Sequence, residues 1–153
     1  MDVLYNRLKP FVDQEICRCT SLHGLLLVDL LSSNPLHCAE CKNEVEPERL
    51  GLTQRQVDDI ADWYMVAKAL FLLWLDSGEY EMYAKEKLLD KNGQVNVVGL
   101  SLAKELSALY PTLYWWFSDS DDGEPQNCPN CGDELDTAVK HGTGKCEKCR
   151  VIV

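Results

Sequence analysis

The stretch CPNCGDELDTAVKHGTGKCEKCRVIV, Cys128 to Val153, decides how this chain is read. Two Cys-x-x-Cys pairs, Cys128/Cys131 and Cys146/Cys149, flank a short polar loop. Zinc prefers four ligands in a tetrahedron, and a two-residue spacing lets both sulfurs of a pair face one ion. Gly132 follows Cys131, where a tight turn with positive φ suits glycine. The loop between the pairs, Gly132 to Lys145, lies just below the usual ribbon range yet suffices for a short hairpin. Arg150 to Val153 then reads as the last strand. The pattern predicts a zinc ribbon holding one structural ion on Cys128, Cys131, Cys146 and Cys149. A redox dithiol is the competing reading, but no thioredoxin-like strand and helix precede either pair. His141, inside the loop, reads as a solvated turn residue.

The other four cysteines pose the same question with a weaker spacing. Cys17-x-Cys19 and Cys38-x-x-Cys41 are expected to supply a second thiolate set, with His23 and His37 nearby as substitute ligands. The alternatives are that Cys17 and Cys19 are ordinary buried cysteines and that Cys38 and Cys41 are free. Eight cysteines also allow four disulfides in a secreted protein. Met1 to Lys9 lacks a basic start followed by an apolar run, so no secretion signal is expected. Clustered cysteines without one favour metal in a reducing, cytoplasmic setting.

Composition sets the remaining bounds. The 153 residues are 46% hydrophobic and 26% charged, which places the chain among folded rather than disordered proteins. The longest apolar run, Met65 to Leu75, contains Lys68 and falls short of the ~20 residues that span a bilayer, so no membrane partner is expected. The formal charge of −10 is spread along the chain rather than confined to a tail. A field of that sign repels phosphate backbones and favours basic protein partners, although solubility alone also explains it.

Outward from the ribbon, the chain divides into residues 1–118, a mainly helical core carrying the N-terminal cysteine-rich knuckle, an acidic linker at 119–126 (DSDDGEPQ), and the ribbon at 127–153. Leu25 to Leu31 is a buried strand or a short helix, and periodicity does not decide. Thr53-Gln54-Arg55-Gln56 matches a capping box. Apolar residues then recur at Val57, Ile60, Ala61, Tyr64, Ala67, Phe71, Trp74 and Leu75, with a second stripe at Trp63, Val66, Leu70 and Leu73. The sequence thus predicts a helix that is apolar all round in its later half, central to the fold, and closed at Gly78. A second helix is expected over Glu79 to Leu89, ended by Asn92-Gly93, and a third over Ser101 to Tyr110, stopped by Pro111. Thr112 to Phe117 (TLYWWF) has strand composition, its alternate aromatics buried. The fold class expected is α+β: a helical core with a few short strands and a C-terminal zinc ribbon.

Four thiolates close a zinc shell, leaving no position for a catalytic water. No His-x-Glu deaminase signature, phosphate loop, nucleophile elbow or His-Glu-x-x-His occurs. No catalytic residue is therefore assigned and a non-enzymatic role is expected. PLHCAEC, DWYMVAKALFLLWLDSGEYEMYA, YPTLYWWF, CPNCG and KCEKCRVIV, in that order, resemble an uncharacterised bacterial Zn-ribbon-containing family described as possibly nucleic-acid-binding, over about residues 35–153. The resemblance implies that Cys38/Cys41 and the terminal ribbon belong to one architecture, and it implies no activity. The expected function is a zinc-binding protein-interaction module, an adaptor or immunity-type inhibitor of a basic protein. The alternative is a nucleic-acid-binding or transcription-related ribbon, resting on the ribbon itself, on Lys140, Lys145, Lys148 and Arg150 clustered on it, and on the aromatic strand before the linker.

Overall fold

The computed structural model describes residues 2–10 and 13–153. The fold is α+β, with three helices on one face of a five-stranded mixed sheet. Strands β1 (Leu25–Leu27) and β2 (Leu36–Cys38) precede helices α1 (Gln54–Asp76), α2 (Glu81–Leu89) and α3 (Gln94–Leu106). Strands β3 (Thr112–Trp115), β4 (Lys145–Cys146) and β5 (Val151–Ile152) follow, and the sheet order is β2-β1-β3-β5-β4. The three inner strands are mutually parallel and the two outer ones run antiparallel to their neighbours.

Strand alternation divides the sheet's side chains between two layers. Leu25, Leu27, Tyr114, Trp116, Val151 and Val153 join the large core shared with the helices. Leu26, Val28 and Ile152 are buried on the other face, with Leu113 and Trp115 packed beside them. The ribbon loop lies against that second face at Ile152, whose Cγ1 would stand 3.0 Å from a Cβ on Gly142, and Thr143 N donates to the Val153 carbonyl at 2.5 Å.

Helix α1 begins where the capping box places it: Thr53 Oγ1 accepts from Gln56 N and Gln56 Oε1 accepts from Thr53 N. Gly78, at φ +66°, turns the chain after it. Its later half is not central. Met65, Val66, Leu72 and Leu75 are exposed, while Trp63 and Tyr64 face the core. Helix α3 starts seven residues before the expected Ser101, with Gly93 as its N-cap. Gly99 explains the close packing of α3 on the sheet: a Cβ there would stand 2.7 Å from Cζ of Tyr114. The Tyr114 hydroxyl donates to Asn96 Oδ1 at 2.8 Å, and Asn96 Nδ2 donates to the Leu88 and Asp90 carbonyls. That buried network joins β3, α3 and the end of α2 with every polar atom engaged.

The segment expected as a solvated linker is folded against α2. Asp119 is buried, and Lys85 pairs with it at 2.8 Å and with Asp122 at 3.0 Å. The ribbon, in turn, is not a separate layer. Its strand β5 pairs with β3, so one sheet runs from the N-terminal hairpin into the C-terminal segment.

Candidate metal centres

All eight cysteines are free thiols, and they gather into two groups of four. Cys17, Cys19, Cys38 and Cys41 form one; Cys128, Cys131, Cys146 and Cys149 form the other, with the sulfurs of each group within 4.8 Å of one another. Zinc–sulfur bonds of about 2.3 Å in a tetrahedron require S···S edges of about 3.8 Å. The Cys131 and Cys146 sulfurs stand 3.8 Å apart. Each group can hold one metal ion.

Local backbone geometry explains why the sulfurs converge. In the first knuckle Cys38 N donates to the Asn43 carbonyl at 2.8 Å and Lys42 N to the Cys38 carbonyl at 2.8 Å. In the second, Cys128 N donates to the Asp133 carbonyl at 2.7 Å and Gly132 N to the Cys128 carbonyl at 2.9 Å. The two turns are therefore the same motif. In all three Cys-x-x-Cys turns the next residue is left-handed: Lys42 at φ +66°, Gly132 at +84° and Arg150 at +55°. Only Gly132 advertises this in the sequence, since side chains normally avoid that region.

Cys17 and Cys19 have no such turn, and other elements hold them. Cys17 N donates to the Glu44 carbonyl at 2.7 Å, and Glu44 N donates to the Glu15 carbonyl at 2.9 Å. Glu44 also bridges to His37 on β2, so it fixes the 15–19 segment beside the first knuckle. Arg49 then clamps the pair. Its Nη2 donates to the Cys19 carbonyl at 2.6 Å, and its Nη1 reaches the Cys17 carbonyl at 3.3 Å and the Cys17 sulfur at 3.7 Å. A cation here offsets the charge of clustered thiolates. In the ribbon, Asn130 Nδ2 donates to the Cys149 sulfur at 3.3 Å and Asp133 N to the Cys131 sulfur at 3.5 Å.

Burial pushes the Cys41 and Cys128 thiols up to about 12. The Asp133 amide, donating to sulfur, lowers Cys131. Metal entering either group must therefore displace protons from its buried members.

The histidines lie outside both thiol sets. His37 is buried, with Nδ1 2.7 Å from the Lys42 carbonyl and Nε2 3.0 Å from both the Ser32 hydroxyl and the Asn34 carbonyl. Burial lowers its pKa, so it serves as a neutral brace behind the knuckle. His141 donates from Nε2 to the Glu40 carbonyl at 3.1 Å, and Lys140 pairs with the Glu40 carboxylate at 2.8 Å. The expected turn residue His141 thus ties the ribbon loop to the first knuckle. His23 is exposed and lines a groove between the two knuckles.

Sheet register places both centres at one end of the molecule. Cys38 pairs with Leu25, the first residue of β1, and Cys146 pairs with Val151, the first residue of β5. Both knuckles therefore stand at the amino ends of the parallel strands. Sequence spacing grouped the eight cysteines as the structure does; it missed Arg49, Glu44 and Asn130, which are separated from the cysteines they hold by 19 to 32 positions. No known protein family, curated protein or solved structure matches the chain.

Proposed function

We propose that both tetracysteine centres bind zinc as structural ions and that the chain is a cytoplasmic, non-enzymatic interaction module for a basic protein, acting as an adaptor or inhibitor. One observation carries the reading: helices α1 and α2 leave large apolar side chains in water. Met65 is 64% exposed and Met82 is 70% exposed, and Leu72, Leu75, Tyr80 and Tyr83 are exposed with them. Exposed apolar surface among polar residues marks interaction sites, and methionine adapts to varied partners. Exposed acids on the same two helices and their connection, Asp62, Asp76, Glu79, Glu81 and Glu86, would steer a segment rich in lysine and arginine. No described helix is long and apolar enough to cross a membrane.

Charge at the metal end also favours a basic partner over nucleic acid. Each shell of four thiolates around one divalent ion adds two negative charges to the formal −10. Of the ribbon cations, Lys140 pairs with Glu40, Lys145 with Glu147 and Lys148 with Asp133. Two rings of the aromatic strand, Tyr114 and Trp116, are buried and so withheld from the base stacking that single-strand binders use.

The test is affinity capture from cell lysate with the wild-type chain and with Leu72→Asp/Met82→Asp, with and without nuclease. The expected result is a stoichiometric basic partner that survives nuclease, weakens with salt and is lost in the variant. Capture that vanishes with nuclease, together with a gel shift on single- or double-stranded nucleic acid, would replace this reading with the nucleic-acid one. Capture indifferent to the double substitution would remove the helical face from it.

A further inference from the structure

Away from the metal end, a second feature has no part in zinc binding. At the carboxyl ends of β1 and β3, beneath α1 and α3, lies a cavity of about 200 Å³. Ligands in sheets with parallel strands bind preferentially outside the carboxyl ends of those strands. Its walls include Trp63, Phe71, Tyr114, Trp116 and Phe117, and Asp29, two residues beyond β1, is the one charged side chain among its lining residues.

Two buried polar atoms at this cavity stand unmatched among others that are engaged. Trp63 Nε1 donates to the Val95 carbonyl at 2.9 Å, and the Tyr114 hydroxyl and Asn96 amide satisfy one another and nearby carbonyls. Asp29 Oδ1 accepts from Leu31 N at 2.9 Å, and the Tyr64 hydroxyl oxygen stands 3.3 Å from it while giving its one proton to the Ser32 carbonyl at 2.5 Å. Asp29 Oδ2 and Trp116 Nε1 are buried with no hydrogen-bond partner among the described residues. No lysine or arginine among those residues forms an ion pair with Asp29. Lys68, the nearby cation, is engaged elsewhere: its Nζ donates to the Ser32 carbonyl at 3.2 Å and lies over the Tyr64 ring.

We propose that this cavity binds a small organic cation, a primary ammonium carrying an oxygen acceptor, with the ammonium on Asp29 and the oxygen on the Trp116 indole. A buried carboxylate oxygen and a buried indole N–H left unmatched are costly, and each lacks the partner that the other half of such a ligand supplies. Aromatic faces around a carboxylate attract a cation further, as in quaternary-ammonium and methyl-lysine cages. Burial pushes the Asp29 carboxyl upward, a penalty that a bound positive charge would offset. The site is independent of the helical face assigned to a protein partner, so either reading can fail without the other.

Ethanolammonium is the probe, with tetramethylammonium and neutral 1-propanol as comparisons, followed by tryptophan fluorescence and thermal shift on the zinc-loaded protein. Ethanolammonium is expected to saturate and raise the melting temperature; 1-propanol is expected to do neither. Tetramethylammonium, which has charge but no N–H, is expected to bind more weakly. Asp29→Asn keeps the shape and the Leu31 contact, and it should weaken ethanolammonium by at least about tenfold, the loss of one charge-assisted hydrogen bond. Ala67→Leu, which fills the cavity from α1, should abolish binding and keeps the test readable if Asp29→Asn folds poorly. Absence of a saturable response to ethanolammonium, or an equal response in both folded variants, would overturn the proposal and leave a cavity closed by water alone.

Discussion

Replacing Arg49 by methionine tests whether the first four cysteines work as a metal centre rather than as a coincidence of packing. Arg49 lies in the single turn Pro47–Arg49, and its guanidinium spans both members of the Cys17-x-Cys19 pair. Methionine keeps most of the apolar stem and removes the charge and the donors. Hydrogen bonds from a charged group contribute about 1.5–3 kcal/mol when well formed. Here only the bond to the Cys19 carbonyl, at 2.6 Å, is short; those to the Cys17 carbonyl and sulfur, at 3.3 Å and 3.7 Å, are long. A net loss of about 2 kcal/mol follows, which is roughly 30-fold in affinity. That falls within the ~10–100-fold typical of groups that orient metal ligands. Competition against a chromophoric chelator, with native mass spectrometry to count ions, reads the effect. Wild type should carry two zinc ions, and the variant should hold its ribbon ion unchanged while the other weakens about 30-fold. Arg49→Lys should rescue little, because one ammonium cannot serve two carbonyls in the planar fork geometry. Equal weakening of both ions, or no change in either, would refute the clamp.

Two further outcomes follow from the same geometry. Gly99→Ala should destabilise the fold by about 1–3 kcal/mol despite alanine's better helix propensity, since the new methyl enters the Tyr114 ring and the core must shift; a thermal melt that is unchanged or higher would show that α3 can move away. Zinc affinity should rise with pH through neutrality by at least about tenfold per unit at each centre, because Cys41 in one and Cys128 in the other, both pushed up to about 12 by burial, must give up protons to bind metal. The metal-free fold should show the opposite slope: these thiols bind protons more tightly folded than unfolded, so its stability falls as pH rises above about 8.5. Chelator competition and denaturant titration over pH check the pair, and parallel slopes would contradict it.

The parts of this fold that were legible in the sequence are those written locally. The capping box at Thr53, the glycine close at Gly78, the strand composition at Thr112 and the Cys-x-x-Cys spacings each depend on a few adjacent residues. What was not legible depends on distant partners. Helix α3 opens with Val95, Val97 and Val98 and includes Gly99, a composition that argues against helix until packing against Tyr114 is known. The acidic stretch after Phe117 reads as linker because nothing nearby shows that Lys85, more than thirty residues earlier, pairs with Asp119. The exposure of α1's later half ran against its all-round apolarity, which a buried helix and an interface helix share. The left-handed turns at Lys42 and Arg150 were invisible for a different reason, since neither residue is glycine.

The strand lengths explain what a metal ion at each flank of the sheet would contribute. Strand β1 has three residues and β4 and β5 two each, against a usual five or six. Parallel pairs are also joined only by long crossovers, and β1 and β3 are separated by all three helices. Ladder bonds worth roughly 1 kcal/mol each cannot alone hold such fragments in register. A structural zinc in a small domain supplies an apparent ~10–16 kcal/mol. An ion in one centre would fasten the end of β2 to the 17–19 segment, and an ion in the other would fasten the end of β4 to the turn that enters β5. The Lys140–Glu40 pair then links the two across the sheet. Metal bound there would substitute for strand length at the amino ends of the parallel strands, which leaves their carboxyl ends and the outer helical face without a structural task. Those are the two places where unmatched polar atoms and exposed apolar side chains accumulate.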